Sequence, residues 1–285
     1  MNRVAQKAHK DKRFASLDIT RKRVLFNFMI LAINIGNTNT SAAVFDGEII
    51  RACRRFASDG NKAEDDCEFA LQGLMDLNGL AAQDINGAII GSVVPPLNEK
   101  WKSCIQKILG IFPLVMSHQT PIGMENRYIN PAEVGMDRLA NAVGGKLIIG
   151  APVIILDVGT AATLDLVDKE GAYAGGCIFA GLETTAEALA LKTARLPRIA
   201  PRKPAAAAGR STVASLESGI FYGMVGAVDS LTERLWSEIG YETGLIATGG
   251  GASAILGCLK HSWQHDPNLT LRGLKTIWDL NQKKI

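Results

Sequence analysis

The sequence lacks any uninterrupted apolar stretch of roughly 18 residues, the length that a membrane-spanning helix needs, so we expect no membrane partner. Its five cysteines are dispersed and form no Cys-x-x-Cys pair, which favours a reducing, cytoplasmic setting over a disulfide framework. A Walker A motif, a Gly-x-Ser-x-Gly elbow and a grouped Ser, His and Asp are also absent. Nothing therefore points to a P-loop protein or to a serine hydrolase.

Excess positive charge is missing from most of the chain. The 285 residues carry a net charge of +3, yet residues 1–28 alone hold eight Lys or Arg against two Asp, which leaves the remainder slightly acidic. A nucleic-acid-binding protein needs a basic stripe on its folded surface, so we expect no nucleic-acid partner. Residues 1–28 show no sustained helical period, and we interpret them as a basic, disordered tail.

The end of this tail mimics a signal peptide, because basic residues precede the apolar segment 24–31. The run is broken by Asn27 and Asn34 and continues directly into a glycine turn, so a core strand explains it better. Met29 stands where a compact domain would begin, and translation from Met29 is an alternative start for the protein.

Strands and helices alternate along the chain, which indicates an α/β fold. Residues 31–47 read as an apolar strand, a small polar turn, a second strand and an Asp-Gly hairpin turn. Residues 152–168 repeat this pattern, and a repeat of this size predicts two similar α/β domains that face a cleft. We place the tail and the two domains at residues 1–28, 29–147 and 148–285.

Each copy of the repeat contains a glycine turn, at Gly36 and at Gly159. Such turns present backbone N–H groups and hydroxyls to one point, which suits phosphate oxygens, and an Asp on the preceding strand, such as Asp157, can hold a cation. A single turn of this kind is equally explained as an ordinary hairpin. Two turns in equivalent positions favour a nucleotide in the cleft. Residues 245–252 add a third glycine turn, which is explained either as a ligand-binding turn or as a simple strand-to-helix loop.

A further segment, residues 135–138, lies between the two copies. Gly135 frees the backbone just before Asp137 and Arg138, and an apolar-periodic helix follows. Asp137 is explained either as a helix cap or as a general base beside a cation that binds an anionic substrate group.

The Cys-x2-His-x3-His spacing of Cys258, His261 and His265 is compatible with part of a zinc site. No second pair of ligands lies nearby in the sequence. We therefore interpret this segment as a polar helix end.

Taken in order, these and other short motifs resemble the type III pantothenate kinases, a family of the acetate and sugar kinase, Hsp70 and actin superfamily. The resemblance runs from about Met29 to Asn281. It is carried by residues 34–41, 91–96, 135–138, 157–163, 175–181, 195–197, 209–212, 217–219 and 247–250. It implies two similar actin-like (ribonuclease H-like) domains facing a central nucleotide cleft.

The function implied by this resemblance is the ATP-dependent phosphorylation of the primary hydroxyl of pantothenate, the first committed step towards coenzyme A. The implied cofactors are ATP, Mg²⁺ and a monovalent cation, K⁺ or NH₄⁺, and the implied assembly is a homodimer.

The resemblance also implies site residues. ATP would be bound by Asn34, Ile35, Gly36, Asn37, Thr38, Asn39, Thr40, Ser41 and Thr160. Pantothenate would be bound by Tyr128, Gly135, Met136, Asp137, Arg138 and Thr212. Arg138 would suit the substrate carboxylate. Asp137 would accept the hydroxyl proton, and Asp157 would hold the monovalent cation.

One position departs from the family pattern, because the first loop usually begins with Asp and this chain has Asn34. An amide offers a carbonyl oxygen without a charge, so affinity for magnesium should fall. Asn34 thus leaves open a weakly active or regulatory nucleotide-binding homologue as the alternative to an active kinase. A sugar or acetate kinase of the same superfamily is disfavoured by Tyr128 and by residues 135–138.

Overall fold

The computed structural model of the protein describes residues 28–60 and 63–282. The predicted basic tail lies outside the described residues except for Phe28, whose ring lies 5.6 Å from that of Trp278. In the described part of the chain, no helix combines the length and the hydrophobicity needed to cross a bilayer.

The first half of the chain forms a five-stranded sheet with the order β3-β2-β1-β4-β5. The first three strands form an antiparallel meander, and the last two run parallel to β1 and are reached through helices. The elements are β1 (Met29–Ile35), β2 (Asn39–Asp46), β3 (Ile49–Ala57), α1 (Glu64–Asp76), β4 (Ile85–Ser92), α2 (Pro95–Leu109) and β5 (Leu114–Val115).

The second half forms another five-stranded sheet with the order β10-β9-β6-β7-β8. The elements are α3 (Met136–Ile149), β6 (Val153–Val158), β7 (Ala161–Val167), β8 (Tyr173–Ala180), α4 (Leu182–Lys192), α5 (Thr212–Ile239), β9 (Gly244–Thr248), α6 (Ala252–Ile255), β10 (Gln264–His265) and α7 (Leu269–Leu280). Short 3₁₀ turns occupy Ala82–Asp84, Pro131–Glu133 and Leu256–Cys258.

The two sheets have the same topology, which confirms the predicted repeat. Strands β6, β7 and β8 form an antiparallel meander like that of β1, β2 and β3, and β9 and β10 run parallel to β6 as β4 and β5 run parallel to β1. The apolar runs that identified β1 and β6 are almost wholly buried, and Asn34 and Asp157 are the partly exposed positions near their ends.

Helices α3 and α7 form a layer between the two sheets. Their apolar side chains share one core with both sheets, including Ile89 of β4 and Ile155 of β6. The two helices approach closely at Gly273, where an added Cβ would lie 1.8 Å from the Ala140 carbonyl oxygen. Helices α1 and α2 cover the outer face of the first sheet, and α4, α5 and α6 cover that of the second.

The order of these layers positions the functional groups. Helix α7 comes last in the chain but packs against β1, β2 and β4 of the first sheet. The predicted division at residues 147 and 148 stays a prediction. The packing of α7 against the first sheet also brings the residues that precede α7 into the cleft, where they join residues from both sheets.

Most predicted elements are confirmed, with shifts at their ends. Helix α2 begins with Pro95 and Pro96, because both prolines fit the first turn of a helix, whose N–H groups need no partner within the helix.

Candidate active site

A cleft of about 190 Å³ lies between the two sheets. It is lined by the β1–β2 loop, the β6–β7 loop, the turn after β9, the start of α3 and the segment that leads into α7. The predicted site residues that line it are Asn34, Gly36, Asn37, Thr38, Asn39, Ser41, Asp137, Arg138, Asp157 and Thr160. The structure therefore gathers most of the predicted nucleotide and catalytic residues into one place.

Other predicted site residues do not line this cleft: Ile35, Thr40, Tyr128, Gly135, Met136 and Thr212. Ile35 is fully buried, and the Thr40 hydroxyl is 2.8 Å from that of Ser58. Alternation along β2 explains Thr40, because neighbouring residues of a strand face opposite sides of the sheet. Tyr128 packs 6.2 Å from the ring of Tyr173, and Thr212 is the exposed first residue of α5.

The two glycine loops converge in the cleft. Gly36 N–H donates to the Asn39 carbonyl, three residues further on, at 3.0 Å, and Gly159 N–H donates to the Ala161 carbonyl, two residues further on, at 3.0 Å. Each turn is thus closed by the N–H of its glycine, and the first loop is one residue longer than the second. The hydroxyls of Thr38 and Thr160 lie 2.7 Å apart. Two turns rich in N–H and hydroxyl groups thus face one another, as the binding of a phosphate chain requires.

Asn34 presents a buried oxygen without a partner. Its Oδ1 is inaccessible to solvent and forms no hydrogen bond within the described residues, although the residue lines the cleft. An unpaired buried acceptor costs free energy, so this oxygen is suited to a ligand that brings a donor or a cation. The position therefore fits magnesium or one of its bound waters, with a neutral oxygen in place of a carboxylate.

Asp157 is the acidic counterpart at the end of β6. Its Oδ2 accepts a hydrogen bond from Asn141 Nδ2 at 2.8 Å, and Asn141 Oδ1 accepts one from Thr270 Oγ1 at 2.7 Å. Burial raises the pKa of Asp157 to about 6, and the nearby carboxylate of Asp137 adds to this rise. Because burial disfavours the charged form of this carboxylate, a cation bound beside it would stabilise that form.

Asp137 lies in the first turn of α3, but it is not the helix cap. The N-cap position belongs to Gly135, and Asp137 Oδ1 accepts the backbone N–H of Arg138 at 2.8 Å. Burial raises the pKa of Asp137, while the backbone hydrogen bond from Arg138 opposes this rise. A carboxylate with a raised pKa at the cleft is suited to accept a proton.

The guanidinium of Arg138 is paired with the carboxylate of Asp165, a residue that the sequence motifs did not identify. Arg138 Nε donates to Asp165 Oδ1 at 2.9 Å, and Nη2 lies 2.6 Å from the same oxygen. The Tyr173 hydroxyl donates to Asp165 Oδ1 at 2.7 Å, and Thr163 Oγ1 donates to Oδ2 at 3.0 Å. Asp165 is fully buried, so these donors fix both the carboxylate and the guanidinium that it pairs with.

Sequence reasoning also missed other lining residues. Arg55 reaches the cleft from β3, and the segment before and at the start of α7 contributes Pro267, Asn268, Thr270 and Leu271. Their participation depends on strand register and on the return of α7 to the first sheet, for which the sequence shows no motif.

The Cys-x2-His-x3-His segment forms no metal centre in the described part of the chain, where no group of three or more His, Cys, Asp or Glu is placed to hold a metal ion. His261 Nε2 instead lies 3.3 Å from Glu233 Oε1. The predicted polar helix end holds only for Cys258, the last residue of a 3₁₀ turn, because His261 lies in the loop that follows and His265 lies in β10.

Solved structures share this architecture at low sequence identity. A Baf family transcriptional activator from Campylobacter jejuni matches with a TM-score of 0.53 and 20% identity, over 88% of this chain and 98% of that chain. An inorganic polyphosphate/ATP-glucomannokinase from Arthrobacter sp. strain KM matches with a TM-score of 0.50 and 14% identity, over 90% and 100% of the two chains. The protein has the α/β, actin-like ATPase fold.

Sequence comparison then identifies the family. The profile of the type III pantothenate kinases matches residues 30–234. The type III pantothenate kinase of Solibacter usitatus is 38% identical over 253 residues, covering 89% of this chain and 97% of that protein. That of Brevibacillus brevis is 39% identical over 254 residues, covering 89% and 100%. The chain belongs to the type III pantothenate kinase family.

Proposed function

We propose that this protein transfers the γ-phosphoryl group of ATP to the primary hydroxyl of pantothenate, giving 4'-phosphopantothenate and ADP. Family membership supports this reaction. The single structural observation that carries it is the cleft in which two glycine loops meet beside Asp137. Such a cleft supplies what phosphoryl transfer needs, namely positioning and a group that accepts the proton.

The proposed reaction begins with Asp137. Its carboxylate accepts the hydroxyl proton of pantothenate as the hydroxyl oxygen attacks the γ-phosphorus, and the bond between this phosphorus and the leaving oxygen of ADP breaks. The raised pKa of Asp137 brings its basicity closer to what general-base catalysis at neutral pH requires. The Gly36 and Gly159 turns are each closed by the N–H of the glycine, and the remaining N–H groups and hydroxyls of the turns would hold the phosphate chain in line.

Cation binding is proposed at two places. Magnesium, when bound with ATP, neutralises charge that develops on the transferred phosphoryl group. The unpaired Oδ1 of Asn34 is suited to this cation or to its water. Asp157 is proposed to hold the monovalent cation, K⁺ or NH₄⁺, and its hydrogen bond from Asn141 keeps the carboxylate oriented towards the cleft.

Pantothenate is proposed to lie against Tyr128, residues 135–138 and Thr212. Arg138 would orient the substrate carboxylate, although its guanidinium is already paired with Asp165. Thr212 does not line the cleft of the single chain, and a homodimer is proposed. Its support is the exposed surface of α5, which includes Val213 and Tyr222, with open space beside Gly219 and Gly223.

A cytoplasmic location is also proposed. It is supported by the five free cysteines, dispersed over both sheets and their helices, and by a metabolic role that uses ATP.

The reaction is tested by incubating the protein with ATP, magnesium and potassium, with either pantothenate or a panel of sugars and acetate. We expect ADP to form with pantothenate alone, and mass spectrometry to detect 4'-phosphopantothenate in equal amount. Phosphorylation of a sugar or of acetate in place of pantothenate would overturn the proposal. Omitting potassium and measuring the mass of the native assembly test the two finer proposals separately.

A further inference from the structure

Arg55 lines the cleft from the edge strand of the first meander. It lies in β3 directly opposite Ser41 of β2, and both residues line the cleft. Residues that face each other on antiparallel strands project from the same side of the sheet. The Arg55 side chain therefore shares its side of the sheet with the first glycine loop.

The guanidinium of Arg55 extends to the second domain. A Cβ built on Gly250 would lie 2.8 Å from Arg55 Nη1, so the guanidinium lies against the glycine turn that follows β9. Two residues earlier on β3, Cys53 Sγ donates to Asn268 Oδ1 at 3.3 Å, just before α7. This side of β3 thus contacts segments from the second half of the chain at two points.

The charge of Arg55 is available to a ligand. The charged residues that line the cleft are Asp137, Asp157, Arg138 and Arg55. Arg138 is already paired with buried Asp165, whereas Arg55 is exposed and forms no ion pair within residues 28–60 and 63–282. A guanidinium with free N–H groups matches the geometry of phosphate oxygens.

We propose that Arg55 binds the phosphate chain of the nucleotide and thereby links β3 of the first domain to the Gly249–Gly250 turn of the second. The inference rests on the proposed function, because it takes the cleft as the nucleotide site. A bound phosphate chain between the converging glycine loops lies within the region that the Arg55 side chain spans. The charge of Arg55 already acts on the Asp157 carboxylate across the cleft, and the phosphate chain adds negative charge that Arg55 can contact directly.

Calorimetric titration with ATP, ADP and adenosine, without pantothenate, tests this inference on the full chain. We expect Arg55→Gln to weaken ATP and ADP binding by about tenfold, the effect of losing a charge-assisted hydrogen bond, and to leave adenosine binding unchanged. Arg55→Lys keeps the charge without the paired donors and should give an intermediate loss. The difference between the parent and Arg55→Gln should shrink as salt is raised.

Arg54→Gln is the matched control, since it removes the same charge from the neighbouring residue. Arg54 faces the other side of β3, with its guanidinium carbon 6.0 Å from the centre of the Phe56 ring and its Nη1 near Gly73 of α1. We expect this variant to bind ATP like the parent. Melting temperatures of all variants establish that each is folded.

The outcomes separate the inference from the proposed function. If the parent phosphorylates pantothenate but Arg55→Gln binds ATP as tightly as the parent, or no more weakly than Arg54→Gln, only the inference is overturned. An equal loss of adenosine binding overturns it as well, because the effect would not depend on phosphate. A parent that binds none of the three ligands overturns both.

Discussion

The two glycine loops occupy equivalent places in the two sheets but differ in chemistry. Asn34 in β1 and Asp157 in β6 occupy equivalent places, each one residue before the end of the strand and two residues before the turn glycine. Asn34 is neutral and its Oδ1 has no partner within the described chain, whereas Asp157 is acidic and is held by Asn141.

The same contrast recurs on the following strands. Register places Ser41 opposite Asn34 and Thr163 opposite Asp157. Two residues further along each strand, the first copy has buried Ala43 and the second has buried Asp165. The repeat therefore preserves the fold in both domains, while the buried acids of the two meanders are confined to the second.

This difference limits repulsion in the cleft. The negative charges of Asp137 and Asp157 repel each other. Burial is the main cause of the raised pKa of Asp157, and the charge of Asp137 raises that pKa further. A third carboxylate at position 34 would add to this repulsion unless a cation compensated it. Asn34 keeps an oxygen at the equivalent place without that charge.

The largest effect is expected at Asp137, which has no counterpart in a repeat loop. Asp137→Asn should lower turnover by about 10²–10⁴-fold, the usual cost of losing a general base, and should largely preserve ATP binding. Steady-state kinetics and ATP titration measure the two quantities. Near-parental turnover would show that Asp137 serves only the helix start.

The second effect tests the contrast between Ala43 and Asp165. Asp165→Asn should lower the free energy of unfolding by about 3–5 kcal/mol, because Arg138 would remain buried without its charged partner. Urea unfolding of both proteins measures the change. A loss of less than about 1 kcal/mol would mean that the surrounding hydrogen bonds, and not the ion pair, hold Arg138.

Sequence reasoning predicted the repeat, both glycine loops and Asp137, because these depend on local patterns that survive without knowledge of the fold. Asp165 was missed because a lone acid in an apolar strand carries no motif, and its role depends on Arg138 arriving from α3. The return of α7 to the first sheet is likewise a property of the packed layers.

Arg55 shows why register matters. The hairpin pairs Asp46 with Ile49, and continuing that register would place Arg54 opposite Ser41. An irregularity between Val44 and Phe45 shifts the pairing by one residue and brings Arg55 opposite Ser41 instead. A shift of one residue exchanges the two sides of a strand, and the sequence alone does not reveal where it occurs.

The raised pKa of Asp157 predicts that the free energy of unfolding depends on pH. Its folded-state pKa of about 6 exceeds its ordinary value of 3.8, so the folded protein binds a proton more tightly than the unfolded chain does. Stability from this group is therefore present below pH 4 and is lost as pH rises through about 6.

The comparison with Asp157→Asn isolates that contribution. The variant should be more stable than the metal-free parent by roughly 1–2 kcal/mol at pH 7, after allowance for partial solvation, and the gap should close below pH 4. Potassium should stabilise the parent and not the variant. Equal stability of the two proteins across this pH range would remove Asp157 from the cation argument.

The smallest effect, and the sharpest test of the difference between the loops, is Asn34→Asp, which gives the first loop the acid of the second. Without metal the new carboxylate faces Asp137 and Asp157, so the melting temperature should fall.

With magnesium and ATP present, a carboxylate near the cation adds an attraction of about 1 kcal/mol or more, which lowers the magnesium concentration for half-maximal activity roughly fivefold. Gln72→Glu, an exposed change on α1 away from the cleft, controls for added charge alone. Magnesium titrations of the three proteins decide between two accounts. A lowered midpoint with raised turnover would show that Asn34 weakens a metal site built like that of an acid-bearing loop. An unchanged midpoint, or equal shifts for both variants, would mean that the buried oxygen of Asn34 has no part in holding magnesium. The difference in charge between the two loops would then serve only to limit repulsion among the carboxylates of the cleft.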